Sequence, residues 1–245
     1  MDGVAPWFLW LHQAHGANFT ILYDAFDSAR FLRGIGTTIR LAVVSIVASI
    51  LVGILGAWLQ SHRSRMVRWP VATYIQFFRN TPPLVQMYFF YFALGPALGV
   101  ALGSATPPLG NFAWAVIALS FYGAAFNIEI FRAGLEAVPR ATLDAAESMG
   151  LSPRQVFLHV VFPLALRFSL PALTSNVINL AKTTSLAYAI AVPETLFVAN
   201  QIWSDSINVL EMMVSLLIVY NLMVGVIVAA AHWLERRLSM PGYIQ

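Results

Sequence analysis

Cysteine is absent from the 245 residues, and charge is scarce, at 10% Asp, Glu, Lys and Arg. The first absence excludes structural disulfides, thiolate metal sites and cysteine nucleophiles. The second, with 59% hydrophobic residues and a mean hydropathy of +0.72, sets the chain apart from soluble globular domains. No G-x-x-x-x-G-K-[ST] phosphate loop occurs, which leaves this chain without the signature of a nucleotide-hydrolysing site. The N-terminus lacks the basic region and small-residue cleavage site of a secretory signal, and no processing is expected. A net charge of +3 suggests no nucleic-acid partner, because the arginines stand beside apolar runs, where membrane topology accounts for them.

What is present is apolar sequence in lengths that match a bilayer. A hydrocarbon core of about 30 Å takes roughly 20 apolar residues per helical span. Runs of that kind predict an all-α, polytopic protein with five transmembrane helices, at about 38–59, 70–94, 112–131, 162–190 and 210–233. They form a transmembrane domain over 34–237, after an N-terminal segment over 1–33 and before a tail over 238–245. The apolar cluster 7–11 is too short to span. Residues 19–32, which mix Phe19, Ile21, Phe26 and Phe31 with Asp24, Asp27 and Arg30, read as one interfacial helix. The uncharged stretch 95–110 reads as a linker. Arg63, Arg65, Arg68, Arg132, Arg140, Arg154, Arg167, Arg236 and Arg237 all fall on one side of a five-span arrangement, which predicts the N-terminus outside and the C-terminus in the cytoplasm. Arg30, Arg33 and Arg40 argue the other way for the first span alone.

The loop over about 136–163 carries signals of two deliberately ended helices. Pro139 suits a first helical position, Gly150 supplies a left-handed stop, and Ser152, Pro153 and Gln155 form a capping box ahead of a second helix that Pro163 halts. Taken alone, these features fit a surface αα-hairpin between spans as well as a docking element.

Inside the predicted second span, Arg79, Asn80, Thr81, Pro82 and Pro83 interrupt an apolar run, which puts an ionisable group at mid-depth. Arginine's fork matches a carboxylate in bidentate fashion, so Arg79 and Thr81 are candidates to line a substrate pathway. Pairing of Arg79 with Glu129, or snorkelling to the inner surface, is the competing reading. Ser175, Asn176 and Asn179 share one side of the fourth span and either line the pathway or hydrogen-bond between helices. Lys182 reads as structural or gate-related.

These runs resemble a known family. Asp144, Ala145, Ala146, then Gly150, then Val160, Val161, Phe162 and Pro163 resemble the EAA loop of ABC importer permeases, with Asp144 where Glu is usual, Val160 for Ile and Phe162 for Leu. Phe78 through Gln86 resembles the FRGTPLLVQ motif of the polar amino acid branch. Glu129, Arg132 and Gly134 resemble its E-x-x-R-x-G segment, and Asn179 through Leu186 its L-L-K-x-[ST]-S-L stretch.

The resemblance implies a type I permease fold in a bacterial inner membrane. It implies coupling to an ABC ATPase dimer through Asp144, Ala145, Ala146, Glu147 and Gly150, and structural or gate roles for Glu129, Arg132 and Lys182. The implied partners are a second permease copy or a paralogue and an extracytoplasmic amino acid binding protein; ATP and Mg would be bound by the ATPase and no cofactor by this chain. Asn176, where relatives have Glu, argues against a basic cargo and leaves glutamate, aspartate or glutamine. The tail from Leu238 to Gly242 agrees with that branch. A secondary transporter or channel would also bury Arg79 and Lys182 but has no use for a docking loop. An intramembrane hydrolase is disfavoured by the placement of His12, His15, His62, His159 and His232 away from any serine at mid-depth.

Overall fold

A computed structural model describes residues 5–104 and 106–238; the remainder of the predicted tail lies outside the described residues. In chain order the helices are α1 (Ala5–His15), α2 (Thr20–Tyr23), α3 (Ala25–Gln60), α4 (Arg65–Asn80), α5 (Pro83–Tyr88), α6 (Gly95–Ala101), α7 (Asn111–Glu136), α8 (Arg140–Ser148), α9 (Pro153–Val156), α10 (Phe162–Thr183), α11 (Thr195–Ser206) and α12 (Val209–Leu238). No strand occurs among the described residues. Five helical runs are long and apolar enough to cross a membrane: Ala25–Gln60, Pro83–Ala101, Asn111–Glu136, Pro153–Ile190 and Val209–Leu234.

The second of these corrects the sequence reading. The helix predicted over 70–94 is cut at Thr81, whose extended backbone (φ −105°, ψ 135°) is what a residue ahead of proline adopts. Pro83 opens α5, where its missing N–H costs nothing. The spanning run then continues through the supposed linker, because a π-helical stretch at Phe89–Leu94 leads directly into α6 with Pro96 in its first turn. A second π-helical stretch, Phe157–Val161, precedes Pro163 in the same way. In both places the wider ladder absorbs the absent proline donor and gives the ring room against the carbonyl four residues back.

Residues 19–32 are likewise not one interfacial helix. Phe19 precedes α2, Asp24 separates α2 from α3, and α3 begins at Ala25 and continues into the first span. Two of its charges are paired: Arg30 binds Asp27, and also Asp205, each at 2.8 Å.

The chain divides into two compact units. One comprises Met1–Val44, Leu84–Ala118 and Lys182–Gly225, the other Ser45–Pro83, Leu119–Ala181 and Val226–Gln245. In the first, Ile21, Phe31, Val198, Ala199, Ile202, Met212 and Leu216 form a core. A polar knot secures the N-terminal segment to it. The Asn18 backbone N–H donates to Glu211 at 2.7 Å, and Asn208 Nδ2 donates to the Asn18 carbonyl at 2.8 Å. In the second unit, Ala57, Ile75 and Ile128 pack with Val71, Tyr74 and Phe131. Close approach of α3 and α7 depends on Gly53, where a Cβ would stand 2.5 Å from that of Asn127.

Candidate functional site

All the candidate pathway residues, and all those of the loop, belong to the second unit. Helix α4 lies on α7 through an aromatic contact of Phe78 with Phe121 and a hydrogen bond from Tyr74 Oη to the Phe121 carbonyl at 2.6 Å. That register lays the Arg79 guanidinium over the Phe126 ring, 5.3 Å from its centroid. Arg79 is exposed and stands in the last turn of α4, ahead of the second span rather than within it. A cation in that turn also complements the partial negative charge of the helix end. Asn80 donates to Gln76 Oε1 at 3.2 Å and Thr81 Oγ1 to the Phe77 carbonyl at 2.8 Å, so the end of α4 presents a polar edge beside the break.

The pairing of Arg79 with Glu129 is not formed. Glu129 is engaged by Arg132, whose Nε and a terminal nitrogen reach its two oxygens at 3.3 and 2.9 Å, while the other terminal nitrogen takes Glu136 at 2.6 Å. Spacings of three and four residues put both carboxylates within reach of one guanidinium on a single face of α7.

Helix α10 divides the three polar residues read together in the sequence. Asn176 is buried, and its Nδ2 donates to Asn127 Oδ1 at 2.7 Å and to the Gly123 carbonyl at 3.1 Å. Asn127 passes the chain on, donating to Ser49 Oγ on α3 at 3.1 Å. Ser175 and Asn179 are exposed; the Ser175 hydroxyl donates to the Pro171 carbonyl, one turn back, at 3.1 Å. Phe126, under Arg79, and Asn127, bound to Asn176, are adjacent on α7, so the two sequence motifs meet neighbouring residues of one helix. Lys182, the single lysine, is exposed in the last turn of α10, and its carbonyl accepts from Ser185 Oγ at 3.0 Å.

The loop is a helix, a left-handed glycine and a second helix. Gly150 has φ +79°. Ser152 donates from its backbone N–H and its hydroxyl to Gln155 Oε1 at 2.9 and 2.8 Å, opening α9 with Pro153 in its first turn. Pro139 stands one place earlier than expected, as the N-cap of α8. The alanine pair is split: Ala146 is 5% exposed and packs within its own unit, whereas Asp144, Ala145, Glu147 and Met149 are exposed, Met149 at 80%.

One functional-looking cluster escaped the sequence reading. In the first unit, Glu194 is fully buried at the N-cap of α11, accepting from the backbone N–H groups of Leu196 and Phe197 at 2.9 and 2.8 Å and from Tyr220 Oη at 3.0 Å. Thr38 Oγ1 is shared with Thr195 Oγ1 at 2.7 Å and accepts the Thr195 N–H. Burial pushes the Glu194 carboxyl above the usual carboxylate range, against the pull of those donors. Pro193 followed by an acidic N-cap was the available signal.

Five helices long and apolar enough to span, with a helix, glycine, helix loop between two of them, define a multi-pass membrane protein. Comparison with known proteins gives the family. Residues 23–240 match the family described as "Binding-protein-dependent transport system inner membrane component". The chain is 27% identical over 222 residues to the probable glutamine ABC transporter permease protein GlnM of Bacillus subtilis (strain 168), covering 91% of this chain and 98% of that one. It is 31% identical to the L-cystine transport system permease protein TcyB of the same organism, covering 84% and 85%. Among solved structures, one described as an amino acid ABC transporter with histidines superposes with a TM-score of 0.76 at 25% identity, covering 86% and 94%. The chain belongs to the family of binding-protein-dependent transport system inner membrane components. It is a permease subunit of an ABC importer in the inner membrane, working with a binding protein and with a separate ATPase that hydrolyses the ATP.

Proposed function

We propose that this permease imports polar amino acids, with glutamate, aspartate or glutamine as cargo, by alternating access. The observation that carries the reading is Arg79, an exposed guanidinium on an aromatic ring at a helix end immediately before a backbone break. A carboxylate is common to every amino acid, and the fork of Arg79 suits one, with Thr81 beside it at the break, its hydroxyl held by the Phe77 carbonyl. Ser175 and Asn179 offer further polar groups on α10, while Asn176 serves packing. The relatives named for glutamine and L-cystine support an amino acid cargo. Glu129 and Arg132 act as a structural clamp on α7, and Lys182 as a gate or structural residue at the end of α10.

In this reading a second permease, identical or paralogous, completes the pathway. Two ATPases, holding ATP and Mg, dock on Asp144, Ala145, Glu147 and the turn at Gly150. By the positive-inside rule, the arginine-rich loops support a cytoplasmic position for that face and an N-terminus outside. The test is ATP hydrolysis by the purified permease and ATPase complex in lipid, titrated with each amino acid in the presence of its binding protein. Stimulation by glutamate, aspartate or glutamine is expected; an intact complex that responds to no amino acid would overturn the cargo assignment.

A further inference from the structure

Helix α1 contains no Asp, Glu, Lys or Arg and no buried residue. One face is occupied within its own unit: Phe8 meets Phe19 at 5.8 Å between centroids, and the His12 ring stacks on Tyr23 at 6.2 Å. The other face carries Trp7 and Trp10, which are 54% and 53% exposed. Its eleven residues extend about 16 Å, half of a hydrocarbon core, so α1 cannot span. The family match begins at residue 23, so α1 lies ahead of the matched region.

What covers the two indoles follows from the helix next to them. The exposed apolar side chains of α3 make one stripe at helical spacing, through Leu32, Ile39, Val43, Val47, Leu51 and Trp58. At 1.5 Å per residue the stripe is about 39 Å long, enough for a hydrocarbon core and part of the interfacial layers. Trp58 ends it beside the basic loop of Arg63 and Arg65, the usual place for an interfacial tryptophan. The opposite interface therefore falls near the start of α3, and α2 and α1 attach there with Asp24 alone between α2 and α3. Near that end Arg30 is bound to Asp27 and Asp205 and Arg40 lies over Phe112 at 5.0 Å, while Arg33, exposed beside Leu32, is placed to reach the headgroups.

We propose that α1 is a monotopic anchor lying in the lipid headgroup layer at the N-terminal end of α3, with the indoles of Trp7 and Trp10 at the boundary between headgroups and acyl chains. An indole has an apolar body and one N–H donor, which suits that boundary better than either water or hydrocarbon. An uncharged helix face continuous with a lipid-facing stripe has the bilayer as its neighbour, and a soluble partner would meet no charge on it to fix its orientation.

The lack of cysteine supplies the test. Single substitutions Ala14→Cys, on the tryptophan face, and Ser104→Cys, in the exposed connection between α6 and α7, are spin-labelled in the permease and ATPase complex. The complex is reconstituted in phosphatidylethanolamine and phosphatidylglycerol vesicles. Collision with oxygen, relative to a water-soluble nickel chelate, should be several-fold higher at position 14 than at position 104. Adding Trp7→Ala and Trp10→Ala should bring position 14 down toward the position 104 value. Equal chelate access at the two positions would place α1 in water, and shielding of position 14 from both reagents would place it against protein. Either result overturns the proposal, as does a position 14 signal unaffected by loss of both indoles.

Discussion

Asn176 on α10 donates to Asn127 on α7 across 2.7 Å, with both side chains buried in the second unit. An asparagine that spends its amide on a side chain and on the Gly123 carbonyl has little left to offer a passing solute. Asn176→Ala should lower the thermal midpoint of the purified complex while leaving the concentration dependence of uptake unchanged. In a double-mutant cycle with Asn127→Ala the coupling should be about 0.5–2 kcal/mol, the range for hydrogen bonds between membrane helices. A raised half-saturation concentration with unchanged stability would instead put Asn176 on the pathway.

Arg79 makes the opposite prediction. Arg79→Ala should reduce uptake about tenfold to a hundredfold, corresponding to one charge-assisted contact of about 1.5–3 kcal/mol, with no loss of ATPase association. Arg79→Lys keeps the charge but not the fork, and should recover only part of the rate. Transport into proteoliposomes, with co-purification as the control, reads both effects.

The split of the alanine pair separates docking from folding. Ala145→Arg adds bulk and charge at an exposed place on α8 and should abolish ATPase binding while the permease remains folded. Ala146→Arg forces a large side chain into a buried place, so it should destabilise the loop itself by at least the ~1–3 kcal/mol of an overpacked core. Thermal unfolding of the permease alone distinguishes the two.

Glu194 should give the stability a pH dependence. Burial raises its carboxyl in the folded state, so the folded protein holds this proton more tightly than the unfolded chain does. The stabilising contribution is fully present below the unfolded value of about 4.3 and is lost as pH rises through the raised folded value. Melting temperature should therefore fall as pH rises across that interval. Glu194→Gln, which keeps an oxygen for the α11 N–H groups, should flatten the fall, and an unchanged slope would show that another group carries it.

The sequence was most legible where backbone chemistry is local. Gly150, Ser152 and Pro153 announce a helix stop and a helix start whatever surrounds them, and both occur at those residues. Five apolar runs were also evident, since hydropathy over 20 residues needs no tertiary information. Legibility failed where proline and glycine occur inside a span. Gly95 and Pro96 read as linker residues because their helical role depends on the π-helical turn before them, which no composition rule reports. It failed also at Glu194, whose importance comes from Thr38 and Tyr220, far off in sequence. Asn176 and Ser175 are neighbours with opposite surroundings, and only the facing helix distinguishes them.

That division along α10 has an evolutionary side. Ser175 and Asn179, one turn apart, are exposed on α10, whereas Asn176 is buried in the chain it makes with Asn127 and Ser49. On the pathway role proposed for Ser175 and Asn179, a permease retuned for a new solute would change its preference on one side of a helix and keep its architecture on the other, and selection for new cargo should gather substitutions at 175 and 179 before it touches 176.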